Sequence, residues 1–403
     1  MQKDTYSFAR ECYIMAKPAS AKCNLACHYC YYSEKSRLYQ GAATSNMSLQ
    51  TLERFVEQYI AMQTTDHVLF TWHGGEPLLR PLSFYQKALE LQKKYANGKY
   101  IDNCLQTNGT LLTPEWCNFL RSNNWLVGIS IDGTESQHNH FRNDHSGKGT
   151  FRQVMEGISM MQCHGVEWNA MATVNSFNSL QPLEFYRFFR NINCTFLQFT
   201  PVVERSAVYQ DGRHLSDPDE SDMPVEPFSV TPQAWGEFCG AVFDEWVRHD
   251  VGKVFVQLFD ATLANWLGVT PGVCSLAKEC GHAGVIEANG DVYSCDHFVF
   301  PKYKLGNIVS DNLISLMYSP QQNAFSYRKR LALPCQCKQC RWLFACHGEC
   351  PRNRFLMSKD GEYGLNYLCE GYKTFFSHVA PYMDTMAELY RQGRPPADIM
   401  QML

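Results

Sequence analysis

Short β-rich runs alternate with helix-length apolar-periodic segments through the first half of the chain, and this alternation most limits what it can fold into. Candidate strands are Cys12–Lys17, His67–Trp72, Tyr100–Gln106, Trp125–Ile131, Val166–Val174 and Cys194–Pro201. Between them lie helical patterns at Ser48–Gln63, Ser83–Ala96, Thr113–Ser122, Thr150–His164 and Leu180–Asn191, several opened by a Ser or Thr able to cap the first turn. Parallel neighbours need a crossover long enough to be a helix, so six βα-type units in a row predict an α/β fold with a parallel sheet, open or curled into a partial barrel. Functional side chains then belong at the C-terminal strand ends.

The alternation stops at Asp211–Pro232, rich in Asp, Pro and Ser, which reads as an exposed connection. Thr231-Pro232 reads as a cap and first helical residue, opening an apolar-periodic stretch that runs to about Trp266. From Pro271 to Cys369 periodicity is poor and cysteines crowd in, as expected of a region organised around metal rather than a large apolar core. Residues Tyr372–Leu403 read as a helical tail interrupted by Pro381 and Pro395-Pro396. The expected division is a barrel over 1–232, a helical linker over 233–270, a cysteine-rich domain over 271–375 and a tail over 376–403.

Eighteen cysteines in 403 residues fall short of the ~8–10% of short disulfide scaffolds. Neither a signal-peptide core nor an apolar run of ~18 residues is present, so the expected compartment is the cytoplasm, where clustered thiols bind metal or do redox chemistry. With 36 basic and 40 acidic residues and no basic run, neither nucleic acid nor an anionic membrane is an expected partner.

Cys23, Cys27 and Cys30 form a C-x3-C-x2-C triplet directly after the first predicted strand. Three thiolates can hold three irons of a [4Fe–4S] cube and leave the fourth open, as a catalytic centre requires. A structural zinc site is the plainer alternative, although such sites usually take four ligands. The full run CNLACHYCYY, with aromatic Tyr29 before the third cysteine, resembles the radical S-adenosylmethionine (SAM) superfamily, as does Gly74-Gly75-Glu76-Pro77 after the second strand. The resemblance implies a partial (β/α)6 barrel of the TIM type. It also implies that the Gly74–Glu76 loop meets the methionyl amino group, that Ser130 and Arg142 contact the ribose and carboxylate, and that Val203 lies against the adenine. Glycines let backbone carbonyls approach an ammonium closely, and Glu76 can anchor the loop. For Gly109 and Gly133 the turn chemistry of Asn-Gly and Asp-Gly suffices.

Eight further cysteines follow: Cys274, Cys280, Cys295, then Cys337, Cys340, Cys346, Cys350 and Cys369. Spacing alone allows two zinc ribbons. The pattern resembles the SPASM-domain branch of the radical SAM enzymes, and within it the anaerobic sulfatase-maturating enzymes. The resemblance implies two auxiliary [4Fe–4S] clusters with crossed ligation: Cys274, Cys280, Cys295 and Cys350 hold one, Cys337, Cys340, Cys346 and Cys369 the other. Three four-iron clusters and SAM are thus the implied cofactors. Full ligation leaves no iron open, so electron transfer is the expected auxiliary role. Cys335 offers an alternative to Cys337, whose onward spacing fits better. The other cysteines, Cys12, Cys104, Cys117, Cys163, Cys194 and Cys239, read with Cys335 as small buried hydrophobes.

By the same resemblance Asp296, next to Cys295, is the catalytic base, and a base beside an electron acceptor suits removal of a proton and an electron together. The implied reaction is oxidation of a Cys or Ser in an unfolded sulfatase to Cα-formylglycine. A 5′-deoxyadenosyl radical takes a Cβ hydrogen and an auxiliary cluster takes the electron. The implied substrate carries a Cys/Ser-x-Pro-x-Arg motif, and flavodoxin or ferredoxin is the implied electron donor. Two alternatives remain. One is a crosslinking maturase of a ribosomal peptide, disfavoured because only 22 residues precede Cys23, too few for a leader-recognition domain. The other is a non-catalytic metal-binding scaffold, which would leave Gly74–Glu76 and Asp296 without a role.

Overall fold

The computed structural model describes residues 12–38, 46–209, 212–215 and 223–403. Six strands follow in chain order: β1 (Cys12–Ala16), β2 (His67–Trp72), β3 (Tyr100–Thr107), β4 (Leu126–Ser130), β5 (Trp168–Val174) and β6 (Phe196–Pro201). Each pairs in parallel with the next, through crossovers α1 (Leu49–Met62), α2 (Leu82–Tyr95), α3 (Pro114–Ser122), α4 (Glu135–Phe141) with α5 (Phe151–His164), and α6 (Pro182–Asn191). Ser48 and Thr113 accept from the Thr51 and Trp116 amides, so side-chain caps set these two starts. Helix α4 was not expected. Seven residues are too few to show a period, and its start is fixed locally by the Thr134 amide donating to Gln137 Oε1 (3.1 Å).

The sheet exceeds six strands. Beyond a separate hairpin of β7 (Ser206–Tyr209) and β8 (Gly212–Leu215), β9 (Phe255–Val256) lies parallel to β6. β10 (His282–Ile286) lies parallel to β1, followed by antiparallel β11 (Asp291–Tyr293) and β12 (Lys304–Asn307). Ten strands run β12-β11-β10-β1-β2-β3-β4-β5-β6-β9, and among the described residues the end strands do not pair, so the sheet is an open partial barrel. Because β1 lies between β2 and β10, the loop leaving β1 stands where the two halves of the chain meet.

The cysteine-rich half shares the apolar core of the barrel, contrary to the expectation of a region held mainly by metal. Leu276, Ile286, Val292, Ile308, Leu313, Trp342 and Leu368 join one continuous core with the barrel residues, because β10–β12 extend the same sheet. The stretch to Trp266 is two helices, α7 (Pro232–His249) and α8 (Gln257–Trp266). Gly252, at φ +76°, breaks them, and the Trp246 indole holds the reversal by donating to Val254 O (2.7 Å). Then come α9 (Leu313–Met317), α10 (Pro320–Leu331), the one-turn α11 (Cys335–Lys338) and α12 (Leu343–Cys346), and α13 (Cys369–Arg391).

Pro381 does not interrupt the tail helix. It sits inside α13, where Phe375, Phe376, Val379, Met383, Met386 and Leu389 are buried in the common core, and that packing outweighs one missing hydrogen bond. The chain leaves the helix at Gly393, before Pro395. Residues 211 and 216–222 of the expected exposed connection lie outside the described residues. The rest is not simply exposed: Phe228, Ser229 and Val230 are buried, with the Val230 amide on Val202 O (3.0 Å) and the Ser176 amide on Phe228 O (3.0 Å). This run caps the ends of β5 and β6. Cys163, expected to be buried, is exposed on α5.

Candidate active site

The loop after β1 carries Cys23, Cys27 and Cys30. Burial pushes the Cys23 thiol up to about 11 and Cys27 to about 12, and raises Cys30 as well, so only a bound cation can make thiolates of them near neutrality. Two donors already face the Cys23 sulfur, the Leu25 amide (3.4 Å) and Asn108 Nδ2 (3.7 Å). Such N–H···S contacts suit a thiolate that ligates iron.

The Gly74-Gly75-Glu76 loop is laid directly on this segment. The Gly75 amide donates to Ser20 O (2.7 Å) and the Glu76 amide to Lys22 O (2.7 Å). A Cβ on Gly75 would overlap the Lys22 carbonyl, and Gly74 has φ +142°, so neither position accepts a side chain without moving the loop. Glu76 is buried beneath: its carboxylate accepts from the Leu78 amide (2.9 Å), the Asn108 amide (2.8 Å) and Thr107 Oγ1 (2.7 Å). Burial raises its pKa to about 7 against these donors. Glu76 is the anchor that ties the ends of β2 and β3 together.

Past β4, Asp132 gathers Arg142 Nε (2.9 Å) and Nη2 (3.1 Å), the Thr173 amide and hydroxyl (2.9 Å each) and the Tyr29 hydroxyl. Tyr29 packs with Phe141, Val202 and Phe228, and Val203 is buried nearby in sequence. Ser130 Oγ accepts from Gln106 Nε2 (3.0 Å). On the neighbouring strand, Asn169 Oδ1 is buried with no hydrogen-bond partner. This orphan acceptor beside a polar pair fits a polar ligand such as SAM.

Asp296 follows Cys295 beyond β11. Its Oδ1 pairs with Lys17 Nζ, its Oδ2 accepts from the Tyr31 hydroxyl, and the Lys17 ammonium stands 3.3 Å from the Tyr32 ring centre. Lys17 is fully buried, whereas the Asp296 side chain keeps 15% of its exposure. Burial alone would raise the carboxyl, but Lys17, His73 and His297 outweigh it and hold it well below the usual carboxylate range. The Gly74 amide donates to His73 Nδ1 (2.7 Å), which puts the proton of the neutral ring on Nε2, and burial lowers His73 to about 4. Tyr31 meets His297 edge-on at 5.2 Å and lies 5.0 Å from the Arg352 guanidinium, itself paired with Glu204.

The eight later thiols fall into two groups. Cys295 is pushed up by burial and by Cys274, Cys350 and Cys280. Cys346 is pushed up to about 12 by burial, Cys369 and Cys337. A cavity is lined by Cys337, Cys340, Cys346 and Cys369 among Trp342, Leu343, Tyr372 and Phe376. Four thiols around a space walled by rings and methyls fit an iron–sulfur cube. Among the described residues no three His, Cys, Asp or Glu side chains converge to hold a single metal ion. Cys335 is exposed and does not line that cavity.

The fold therefore assembles the triplet, the Gly74–Glu76 loop and Asp296 around the end of β1. Sequence reasoning missed Lys17, Tyr31, His73 and Arg352. The available signal was a lysine ending an otherwise buried strand and a second tyrosine after Cys30.

Two family descriptions match this chain: the Radical SAM superfamily over residues 18–189 and an iron–sulfur cluster-binding domain of the SPASM type over residues 279–341. A serine-type anaerobic sulfatase-maturating enzyme of Bacteroides thetaiotaomicron is 58% identical, covering 100% of this chain and 98% of its own. A cysteine-type enzyme of Clostridium perfringens is 32% identical over 93% of this chain and 98% of its own. The solved structure of native anSMEcpe with bound AdoMet superposes with a TM-score of 0.82 at 31% identity, covering 93% and 99% of the two chains. Its complex with AdoMet and the Cp18Cys peptide gives 0.81 at 31% identity, covering 94% and 99%. No helix among the described residues is long and apolar enough to cross a membrane.

Proposed function

The chain belongs to the anaerobic sulfatase-maturating enzymes of the radical SAM superfamily, and from that premise we propose that it oxidises a Ser or Cys of an unfolded sulfatase to Cα-formylglycine in the cytoplasm. Membership implies AdoMet and [4Fe–4S] clusters. We assign three: one on Cys23, Cys27 and Cys30, one on Cys274, Cys280, Cys295 and Cys350, and one on Cys337, Cys340, Cys346 and Cys369. Gly74, Gly75, Ser130, Arg142, Tyr29 and Val203 border AdoMet in this reading, with Glu76 as the loop's anchor. The first cluster belongs to the barrel, 1–232, and the other two to the 271–375 region.

When bound, these groups supply a 5′-deoxyadenosyl radical that removes a Cβ hydrogen and an acceptor for the electron that remains. The chain supplies the base. Asp296 carries the proposal: an ionised carboxylate, aimed by Lys17 and Tyr31, next to Cys295. A hydroxyl on a carbon radical is far more acidic than its parent alcohol, so a carboxylate held at low basicity by Lys17 can still take that proton. Once Asp296 is neutral, buried Lys17 has lost its counter-ion, which favours release of the proton and resets the base. Serine gives the aldehyde directly, while cysteine gives a thioaldehyde that water hydrolyses.

The 58% identity to a serine-type enzyme, against 32% to a cysteine-type one, favours serine as the preferred residue. We take the substrate motif as Cys/Ser-x-Pro-x-Arg and the electron donor as a flavodoxin or ferredoxin. The test incubates reduced, reconstituted protein with AdoMet and matched Ser and Cys peptides. The expected serine product is lighter by two hydrogens and reacts as an aldehyde, and the protein holds about twelve irons per chain. Methionine and 5′-deoxyadenosine released over an unchanged peptide would overturn the maturase reading.

A further inference from the structure

One buried cation stands beside the thiols of a single auxiliary site. Lys329, on α10, is fully buried, and its Nζ donates to the carbonyl oxygens of Ser275 (2.8 Å) and Cys274. Among the described residues no carboxylate pairs with it. Burying an ammonium against two carbonyls alone is costly, and such a group persists where another negative charge repays it. Burial lowers the Lys329 ammonium, and the groups that act against burial are Cys280, Cys274 and Cys350, the cysteines of one set. Glu349 is the acid nearest in effect. It is buried and bonded to Asn366 and Asn353 (3.1 Å for the latter); burial raises its carboxyl, while Lys329 and the two asparagines pull it down.

Among the described residues the other thiol set has no equivalent. Its lysine, Lys373, is on the surface and already paired with Glu370 (2.8 Å), where solvent screens it. Arg354 is shared. Its guanidinium is buried between the sets and tied to the carbonyls of Gly348 (2.7 Å), His347 (2.9 Å), Glu349 (2.9 Å) and Lys329. Arg352 also acts on Cys350 but is paired with Glu204, so among the described residues Lys329 is the buried lysine without a carboxylate partner that only the first set holds.

We propose that Lys329 positions the electron: its buried charge raises the reduction potential of the cluster on Cys274, Cys280, Cys295 and Cys350 above that of its neighbour. That makes the site adjoining Asp296 the acceptor of the electron that leaves the substrate as Asp296 takes the proton. A cube held by four thiolates gains a further negative charge on reduction, so a fixed cation in a low-dielectric surrounding favours the reduced form. The inference rests on the ligand sets assigned above.

The test uses the reconstituted full chain with Cys23, Cys27 and Cys30 all changed to Ala, so that only the auxiliary clusters report. Iron content comes first: about eight irons per chain supports the ligand sets, and zinc in their place sinks that reading before Lys329 is varied. A redox titration followed by electron paramagnetic resonance then compares Lys329→Gln, which keeps a donor to the carbonyls, with Lys329→Arg, which keeps the charge. The expected result for Gln is a fall of tenfold or more in the reduction equilibrium of the higher-potential cluster, 59 mV for one electron, with the other cluster within threefold and Arg near the parent. An unchanged Gln potential, or an equal fall in both clusters, overturns the proposal. So does loss of about four irons from both Gln and Met variants, which would make Lys329 a structural brace.

Discussion

Asp132 and Asp296 are each buried beside one cation and one tyrosine hydroxyl, Arg142 and Tyr29 for the first, Lys17 and Tyr31 for the second. In both the cation outweighs burial and lowers the carboxyl. They differ in what is left over. Asp132 accepts four hydrogen bonds, from Arg142 Nη2, the Thr173 amide and hydroxyl and the Tyr29 hydroxyl, which use the lone pairs of both oxygens, and Arg142 Nε pairs with it besides. Asp296 has one partner on each oxygen and keeps 15% of its surface, against 1% for Asp132. A saturated carboxylate braces strand ends, whereas one that keeps a free lone pair can take a proton. Charge pairing alone does not tell a base from a strut. Counting donors does.

The sharpest way to break this contrast is to neutralise each acid. Asp296→Asn keeps the shape and removes the base, so aldehyde formation should fall ~10²–10⁴-fold while iron content and AdoMet cleavage persist. Undiminished aldehyde would take Asp296 out of the mechanism. Asp132→Asn should act on the fold. It leaves the Arg142 charge buried and unpaired, at a cost of about 3 kcal/mol, read as a lower thermal midpoint of the reconstituted protein. A protein that unfolds at the parent temperature and still cleaves AdoMet, yet makes no aldehyde, would place Asp132 with the catalytic groups and end the distinction.

Much of this frame was legible in the sequence because it is written in local periodicities. β2 and α1 announce themselves by alternation and by Ser48 as a cap, and cysteine spacing singled out Cys337, which lines the cavity, over Cys335, which does not. What stayed hidden depends on convergence between distant segments. Tyr31 and Lys17 meet Asp296 across 265 residues or more, and no spacing rule links them. β10–β12 were missed as part of the barrel sheet because their pairing partner is β1, and a short strand carries little signal of its own. Pro381 misled for the opposite reason: a strong local rule gave way to the packing of α13.

A smaller effect separates the two cations. Lys17→Met removes what depresses Asp296, and burial then moves the carboxyl up. The parent should form aldehyde at a rate independent of pH through the ordinary carboxylate range, since Asp296 stays ionised. The Met variant should gain an acid limb, its rate falling as pH drops and the base takes up a proton. The stability sign follows from the same shift: a depressed carboxyl stabilises the fold above its unfolded value of about 3.9 and loses that as pH falls through the folded one. The parent should therefore lose stability on acidification that the Met variant has already forfeited. A Met variant with the parent's pH profile would mean that Lys17 does not set the basicity of Asp296.

The smallest effect lies in the hydroxyls. Tyr31→Phe removes one of two partners from Asp296, and Tyr29→Phe one of four hydrogen-bond donors from Asp132. A hydrogen bond to a charged group is worth about 1.5–3 kcal/mol, but its loss is felt most where no other donor can compensate. Tyr31→Phe should lower the aldehyde rate about tenfold, equivalent to about 1.4 kcal/mol, because Asp296 loses its aim as well as a partner. Tyr29→Phe should leave the rate within about twofold, since Arg142 and Thr173 still hold Asp132 in place. Single-turnover rates on the serine peptide at equal iron loading decide it, and equal losses from the two Phe variants would show that donor count does not separate these acids.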